Sequence, residues 1–179
     1  MTFTLVRGFA ASLLLATVSA MATGAQAQQT STNQVAAKTD WSVFEDKDPR
    51  ECWAVSTPKE TVNTKDGRVV AGKRGEILFM TFFRPGAGVS GQVAFTGGYP
   101  FANGSTVNLN IGGTQFELFT EGEWAWPSSA ADDTKIIAEL KRGANAVLSA
   151  RSGRGTQTKD SFSLSGYTAA VDEASKRCK

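Results

Sequence analysis

Histidine is absent from this chain, and cysteine occurs only twice, at Cys52 and Cys178. Without histidine, serine and cysteine hydrolases lose their usual general base, and metal centres lose their commonest side-chain ligand. Two cysteines are too few for the four-ligand sites that structural zinc prefers. No metal or cofactor is therefore expected. A surplus of charge is lacking too: 19 Lys and Arg stand against 17 Asp and Glu, a formal net charge of +2. Phosphate binding draws on a dense basic excess on one face, so nucleic acid is not an expected partner. The basic clusters that do occur, Lys73-Arg74 and Arg151 through Arg154, are short and interleaved with glycine, as solvated turns are. After residue 22 no segment approaches the roughly 20 consecutive apolar residues of a spanning helix.

What is present begins at the start of the chain. Arg7 is the only charged side chain before the apolar run Phe9 to Ala22, and Ala25-Gln26-Ala27 supplies the small residues that signal peptidase requires. Residues 1–27 are expected to be a cleaved signal peptide. The apolar run is short for the alternative, an uncleaved anchor. The expected location is the periplasm or the exterior, with outer-membrane association as a further option. In such an oxidising compartment, Cys52 and Cys178 read as one disulfide tying the ends of the folded part together, a metal or redox pair being the alternative. Residues 28–39 are polar and without periodicity, and a disordered spacer is expected there. The remainder, 40–179, is the size of one domain with an ordinary core.

Period two dominates that domain. Val107, Leu109 and Ile111 alternate with Asn108 and Asn110, and Phe116 and Leu118 alternate with Gln115 and Glu117, across Gly112-Gly113. Paired glycines supply the positive φ that two-residue hairpin turns demand. Ile77 to Phe83 is apolar almost throughout, which suggests a central strand buried on both faces. Ser161 to Ser165 alternates again. Weaker strands are expected at Trp41 to Phe44, Cys52 to Ser56, Val93 to Thr96 and Ala146 to Arg151. Two segments break the pattern. Asp132-Asp133 precede Ile136, Ile137 and Leu140, with Lys141-Arg142 and Gly143 beyond, the order that the helix dipole and C-cap favour. Ala169, Ala170, Val171 and Ala174 mark a second helix within 168–179. The fold class is mainly β, a single antiparallel β-sandwich with a short helix near 132–142 and a C-terminal helix.

The Trp41 strand, Asp48-Pro49 leading to Cys52-Trp53 and Pro58, Arg74-Gly75, Gly98-Tyr99-Pro100-Phe101, Trp124-Ala125-Trp126, and Phe162 to Tyr167 before a near-terminal cysteine form an ordered set. In this order, the set resembles the invasion-associated locus B family of alphaproteobacteria over essentially the whole mature chain. The resemblance implies an exported β-rich protein, in a family named for a member linked to host-cell invasion. It supplies no known reaction.

No residue set points to catalysis. Ser175-Lys176 lies in the terminal helix and reads as surface, and Gly97-Gly98-Tyr99-Pro100 lacks the strand–turn–helix context of a phosphate loop. Glu121 with Glu123, or Asp132-Asp133, would be the carboxylates of a hydrolase, but neighbours in sequence do not make a cleft, and the second pair is better explained as a helix start. The aromatics offer more. Trp124 and Trp126 share one face of a strand. Buried, they are core beneath the helix that follows, the simpler reading because aromatics fill sandwich cores; exposed, they would anchor a protein or stack on sugar rings. Tyr99 and Phe101 border a turn and are the next candidates for exposure, while Trp53 is expected to pack near the disulfide. The expected function is binding of a protein or cell-envelope partner, with Tyr99, Phe101, Trp124 and Trp126 as the binding residues; a glycan-binding module is the alternative, and a carboxylate hydrolase the third reading.

Overall fold

The structure, a computed structural model, describes residues 33–179. The expected signal peptide and the first part of the spacer lie outside the described residues. Twelve strands form one antiparallel sheet: β1 Gln34–Lys38, β2 Trp41–Lys47, β3 Arg50–Ser56, β4 Glu60–Lys65, β5 Arg68–Val69, β6 Leu78–Arg84, β7 Val89–Thr96, β8 Thr106–Ile111, β9 Thr114–Glu121, β10 Trp124–Trp126, β11 Asn145–Arg151 and β12 Gln157–Ser163. Helix α1 spans Ala130–Arg142 and α2 spans Tyr167–Arg177. The spatial order is β1-β2-β3-β6-β7-β10-β9-β8-β11-β12-β4-β5.

The sheet curls so that its first half faces its second, which makes the sandwich. Phe79 on β6 and Phe95 on β7 meet Phe162 on β12 at ring-centroid distances of 5.5 and 6.2 Å. Trp41 on β2 donates its indole N–H to the Ser163 carbonyl at 3.0 Å. Alternation fills the space between: Val43, Cys52, Ala54, Phe79, Val93, Phe95, Leu109, Leu118 and Leu148 are fully buried.

The hairpin is where period two placed it. Ile111 pairs with Thr114 around Gly112 and Gly113, whose φ values are 57° and 100°. Helix α1 begins two residues earlier than its acids suggest, with Ser129 as N-cap accepting from the Asp132 backbone N–H. Asp132 also accepts from the Ser129 hydroxyl and from Lys135, and these bonds hold its carboxyl below the usual range. Three expectations need correction. The spacer is not structureless to residue 39, because Gln34–Lys38 pairs with β2 as an edge strand. Strand β6 is central, but its burial on both faces is only partial: Phe79, Thr81 and Phe83 enter the interior and Met80 is buried on the other side, whereas Leu78 and Phe82 on that side are only partly covered. Arg74 is not a solvated turn residue. Its guanidinium lies over the Tyr99 ring, donates to both Asp160 carboxylate oxygens at 2.7 and 2.6 Å, and donates through Nε to the Gly97 carbonyl.

The N-cap of α2 is Gly166, with φ of 90°, set against the end of β1. A Cβ there would come within 1.9 Å of the Lys38 carbonyl oxygen. Gly166→Ala is expected to cost at least ~1–3 kcal/mol, since strained φ and a backbone clash add; urea unfolding of the variant checks this, and an unchanged midpoint would mean the helix entry is not so constrained.

Asp133 is a buried carboxylate that accepts the Val93 backbone N–H at 2.7 Å. Burial, with Asp132 adding to it, pushes its pKa above the ordinary value. A carboxyl whose folded pKa is raised favours the fold below its unfolded pKa, and that contribution is lost as pH rises through the folded value. Asp133→Asn keeps an acceptor and removes the charge. The variant is expected to match or exceed the wild-type unfolding midpoint at pH 7, with the difference closing by pH 4; thermal scans across that range would contradict this by showing a loss confined to neutral pH.

Candidate functional site

Residues on alternate strand positions face either the core or water, so registers decide which aromatics share a surface. Phe44 on β2 is paired with Trp53 on β3, and Trp53 with Phe82 on β6. All three point outward. The Phe44 and Trp53 rings are stacked at 5.5 Å with planes 7° apart, and Trp53 meets Phe82 at 6.1 Å. On the far side of β7, Ala125 pairs with Phe95 and is fully buried, which turns Trp124 and Trp126 to the outside. Trp124 is 38% exposed, and Phe119 on β9, set edge-on to Trp126 at 5.4 Å, is 41% exposed. The core position in Trp124-Ala125-Trp126 thus belongs to the alanine, which corrects the simpler reading of the two tryptophans as core. An aromatic row crosses the solvent side of the sheet from β2 to β9, broken only at β7.

That break is a groove. Its volume is about 460 Å³, and its lining is Phe82, Arg84, Gln92, Ala94, Trp124 and Trp126. Polar groups run beside the rings: Arg84 lies 4.4 Å over Phe82, pairs with Glu51 at 2.9 Å and donates to the Gln92 Oε1 at 3.1 Å. Ala94, small and pointing outward, makes the floor.

Tyr99 and Phe101 do not join this surface. Phe101 is buried, a correction to its expected exposure: its N–H donates to the Gly122 carbonyl, it bridges to Ser152, and its ring packs on Phe95 and Tyr99. Tyr99 is half-buried in a separate polar cleft of about 560 Å³ that also contains Lys73, Arg74, Arg154 and Glu123. Its hydroxyl bonds to Thr158, and burial raises its pKa. Asp160 beneath is likewise raised by burial, against the opposing pull of Arg74. Arg74, Asp160, Tyr99 and Thr158 bond to one another in the floor of this cleft.

Trp53 also departs from expectation. Cys52 faces the core and is bonded to Cys178 at 2.08 Å, so the next residue points away from the disulfide. Glu121 and Glu123 flank an exposed turn, and Asp132 and Asp133 diverge to different partners, so neither pair forms a two-carboxylate cleft. Among the described residues no group of three or more Cys, Asp or Glu is placed to hold a metal, and no described helix is long and apolar enough to cross a membrane. Phe44, Phe82, Arg84, Gln92 and Phe119 escaped the sequence reading, because their common face depends on pairings between distant strands.

Fold and surface together define a disulfide-tied antiparallel β-sandwich with an aromatic outer face. The model of the family described as Invasion associated locus B (IalB) protein matches residues 45–175, and the chain belongs to that family. Among solved structures, the crystal structure of invasion associated protein B from Bartonella henselae is similar, with a TM-score of 0.52 and 15% identity over 78% of this chain and 94% of that one. At that identity the likeness is one of fold. No curated protein matches the chain.

Proposed function

We propose that this protein is exported to the periplasm or beyond and works there by binding a protein or cell-envelope partner, without catalysis, through the outer face carrying Phe82, Trp124 and Trp126. The observation that carries this reading is the half-exposed aromatic row on the water side of a sheet whose other side already holds a full core. Large rings left in water without a structural duty are contact anchors. A contact with a host is the setting that the family's name suggests. The chain has no histidine, the commonest general base, and its neighbouring carboxylates do not converge on a cleft.

Cosedimentation of the purified mature protein with isolated envelopes tests it. Wild type should be retained, and Trp124→Ala with Trp126→Ala should weaken retention by about tenfold or more, the usual effect of removing interface anchors. Ala125, which stays, is the residue that packs inside, so the thermal midpoint should change little. Equal retention of both forms would exclude this face.

A further inference from the structure

We infer that the ligand of the groove between Phe82 and Trp126 is a neutral oligosaccharide, whose pyranose rings stack on Trp126 and Trp124 while its hydroxyls meet Gln92. This rests on the aromatic face being the working surface and names what it takes.

The groove continues past Trp126. A second depression, of about 670 Å³, shares Gln92 and Trp126 with the first and runs over Ser90 to Ser128, Ser129 and Thr134 at the start of α1. The two depressions adjoin, with Gln92 and Trp126 lining both. Their lining changes along the length: aromatic walls at one end, and at the other the hydroxyl oxygens of Ser128 and Ser129, whose protons go to Asp132, and of Thr134, whose proton goes to the Ala130 carbonyl, so that this end offers acceptors. The aromatic row itself crosses six strands, a width of roughly 24 Å, which accommodates several pyranose rings.

Charge decides against an ionic ligand. Arg84 is the cation in the first depression, and it is paired with Glu51 and engaged with Gln92. Asp133 is the anion in the second, and it is buried against the Val93 N–H. The Arg84 charge is thus paired, and the Asp133 carboxylate, which has no cation beside it, is buried and turned to the Val93 N–H rather than presented to a ligand. Because the Gln92 Oε1 is taken by Arg84, its amide nitrogen remains as a donor directed by a fixed partner, at the point where the rings give way to hydroxyls. Such a mixture, an apolar ring face beside neutral donors and acceptors, matches a pyranose, which has C–H groups on its faces and hydroxyls round its edge.

An extended peptide fits less well. Peptides that add to sheets need unpaired backbone groups at an edge, and β7 and β10 are interior strands with partners on both sides. A proline-rich peptide needs no such edge, and it is the competing occupant in the test.

The mature protein is titrated with cellohexaose and chitohexaose, with decaproline, and with hexagalacturonate as the anionic counterpart, followed by tryptophan fluorescence and calorimetry. Saturable binding of a neutral hexasaccharide is expected, weakened about tenfold or more by Trp126→Ala and by Gln92→Ala. Trp124→Ala, at the exposed rim, provides the same readout if Trp126→Ala does not fold. Failure of both neutral hexasaccharides to bind, binding of decaproline alone, tighter binding of hexagalacturonate, or binding untouched by these substitutions would each overturn the assignment. Adding the hexasaccharide to the envelope cosedimentation separates the two claims. Retention that depends on the tryptophans but is not displaced by sugar removes the glycan alone, whereas retention independent of the tryptophans removes the surface as well.

Discussion

Replacing Arg74 by methionine is expected to cost the fold about 3–5 kcal/mol at pH 7, because it strands the Asp160 carboxylate in the interior. Asp160 is fully buried, and Arg74 binds both of its oxygens while also fastening the segment before β6 to the Gly97 carbonyl and the Tyr99 ring. Burial already lifts the Asp160 pKa, and Arg74 is the group that counters it. Without the guanidinium the folded pKa rises further. A carboxyl so raised supports folding only while protonated, so its contribution is present at low pH and is lost as pH climbs through the folded value. The penalty in Arg74→Met should therefore shrink between pH 7 and pH 4. Adding Asp160→Leu should recover most of it at pH 7, since a buried pair replaced by apolar groups of similar volume is close to neutral. Urea unfolding of the three proteins at both pH values checks this. A loss equal at pH 7 and pH 4, and unrelieved by the second substitution, would show that the methionine damages packing rather than charge pairing.

Removing the disulfide has the second large effect. Cys52 and Cys178 are 126 residues apart in sequence, so the bond closes almost the whole described domain into a loop. In the chain-entropy model such a loop stabilises by up to about 5 kcal/mol, and loss of a native bridge commonly costs 2–5 kcal/mol. Helix α2 has other attachments. Tyr167 is buried with its hydroxyl 3.1 Å from that of Thr81, and Arg177 pairs with Glu45 at 3.0 Å. The Cys52→Ala, Cys178→Ala protein should thus fold to the same structure at lower stability, by about 2–5 kcal/mol. Thiol labelling of the native wild type should find neither cysteine free. An unfolding midpoint that reduction leaves unchanged, with both thiols shown by mass to be released, would contradict the role of the bond.

Some of this was legible in the chain. The Gly112-Gly113 hairpin and the two helices announce themselves because their signals are local: alternation across a turn, and apolar residues at helical spacing, with acids before and bases after them in the first helix. Strand β4, Glu60–Lys65, gave no signal. Its residues are polar, and only its register with β12 makes it a strand. The Arg74–Asp160 pair was hidden for a related reason, since 86 residues separate its members and a glycine-flanked basic pair looks like a turn. The surface was half visible. Spacing put Trp124 and Trp126 on one face but could not say which face, and burial of Ala125 against Phe95 settles it. Trp53 looked tied to the disulfide because it follows Cys52, although consecutive strand residues point in opposite directions. Aligning Phe44, Trp53 and Phe82 needs two inter-strand registers.

The central claim is that the water-side aromatic row is where this protein meets its partner. Hydroxyl-radical footprinting of the mature protein, free and bound to isolated envelopes, tests it most directly. The expected result is protection on binding at Phe82, Phe119, Trp124 and Trp126, with the Tyr99 cleft unchanged. Protection centred on Tyr99, Lys73 and Arg154, with the tryptophans oxidised equally in both states, would contradict it.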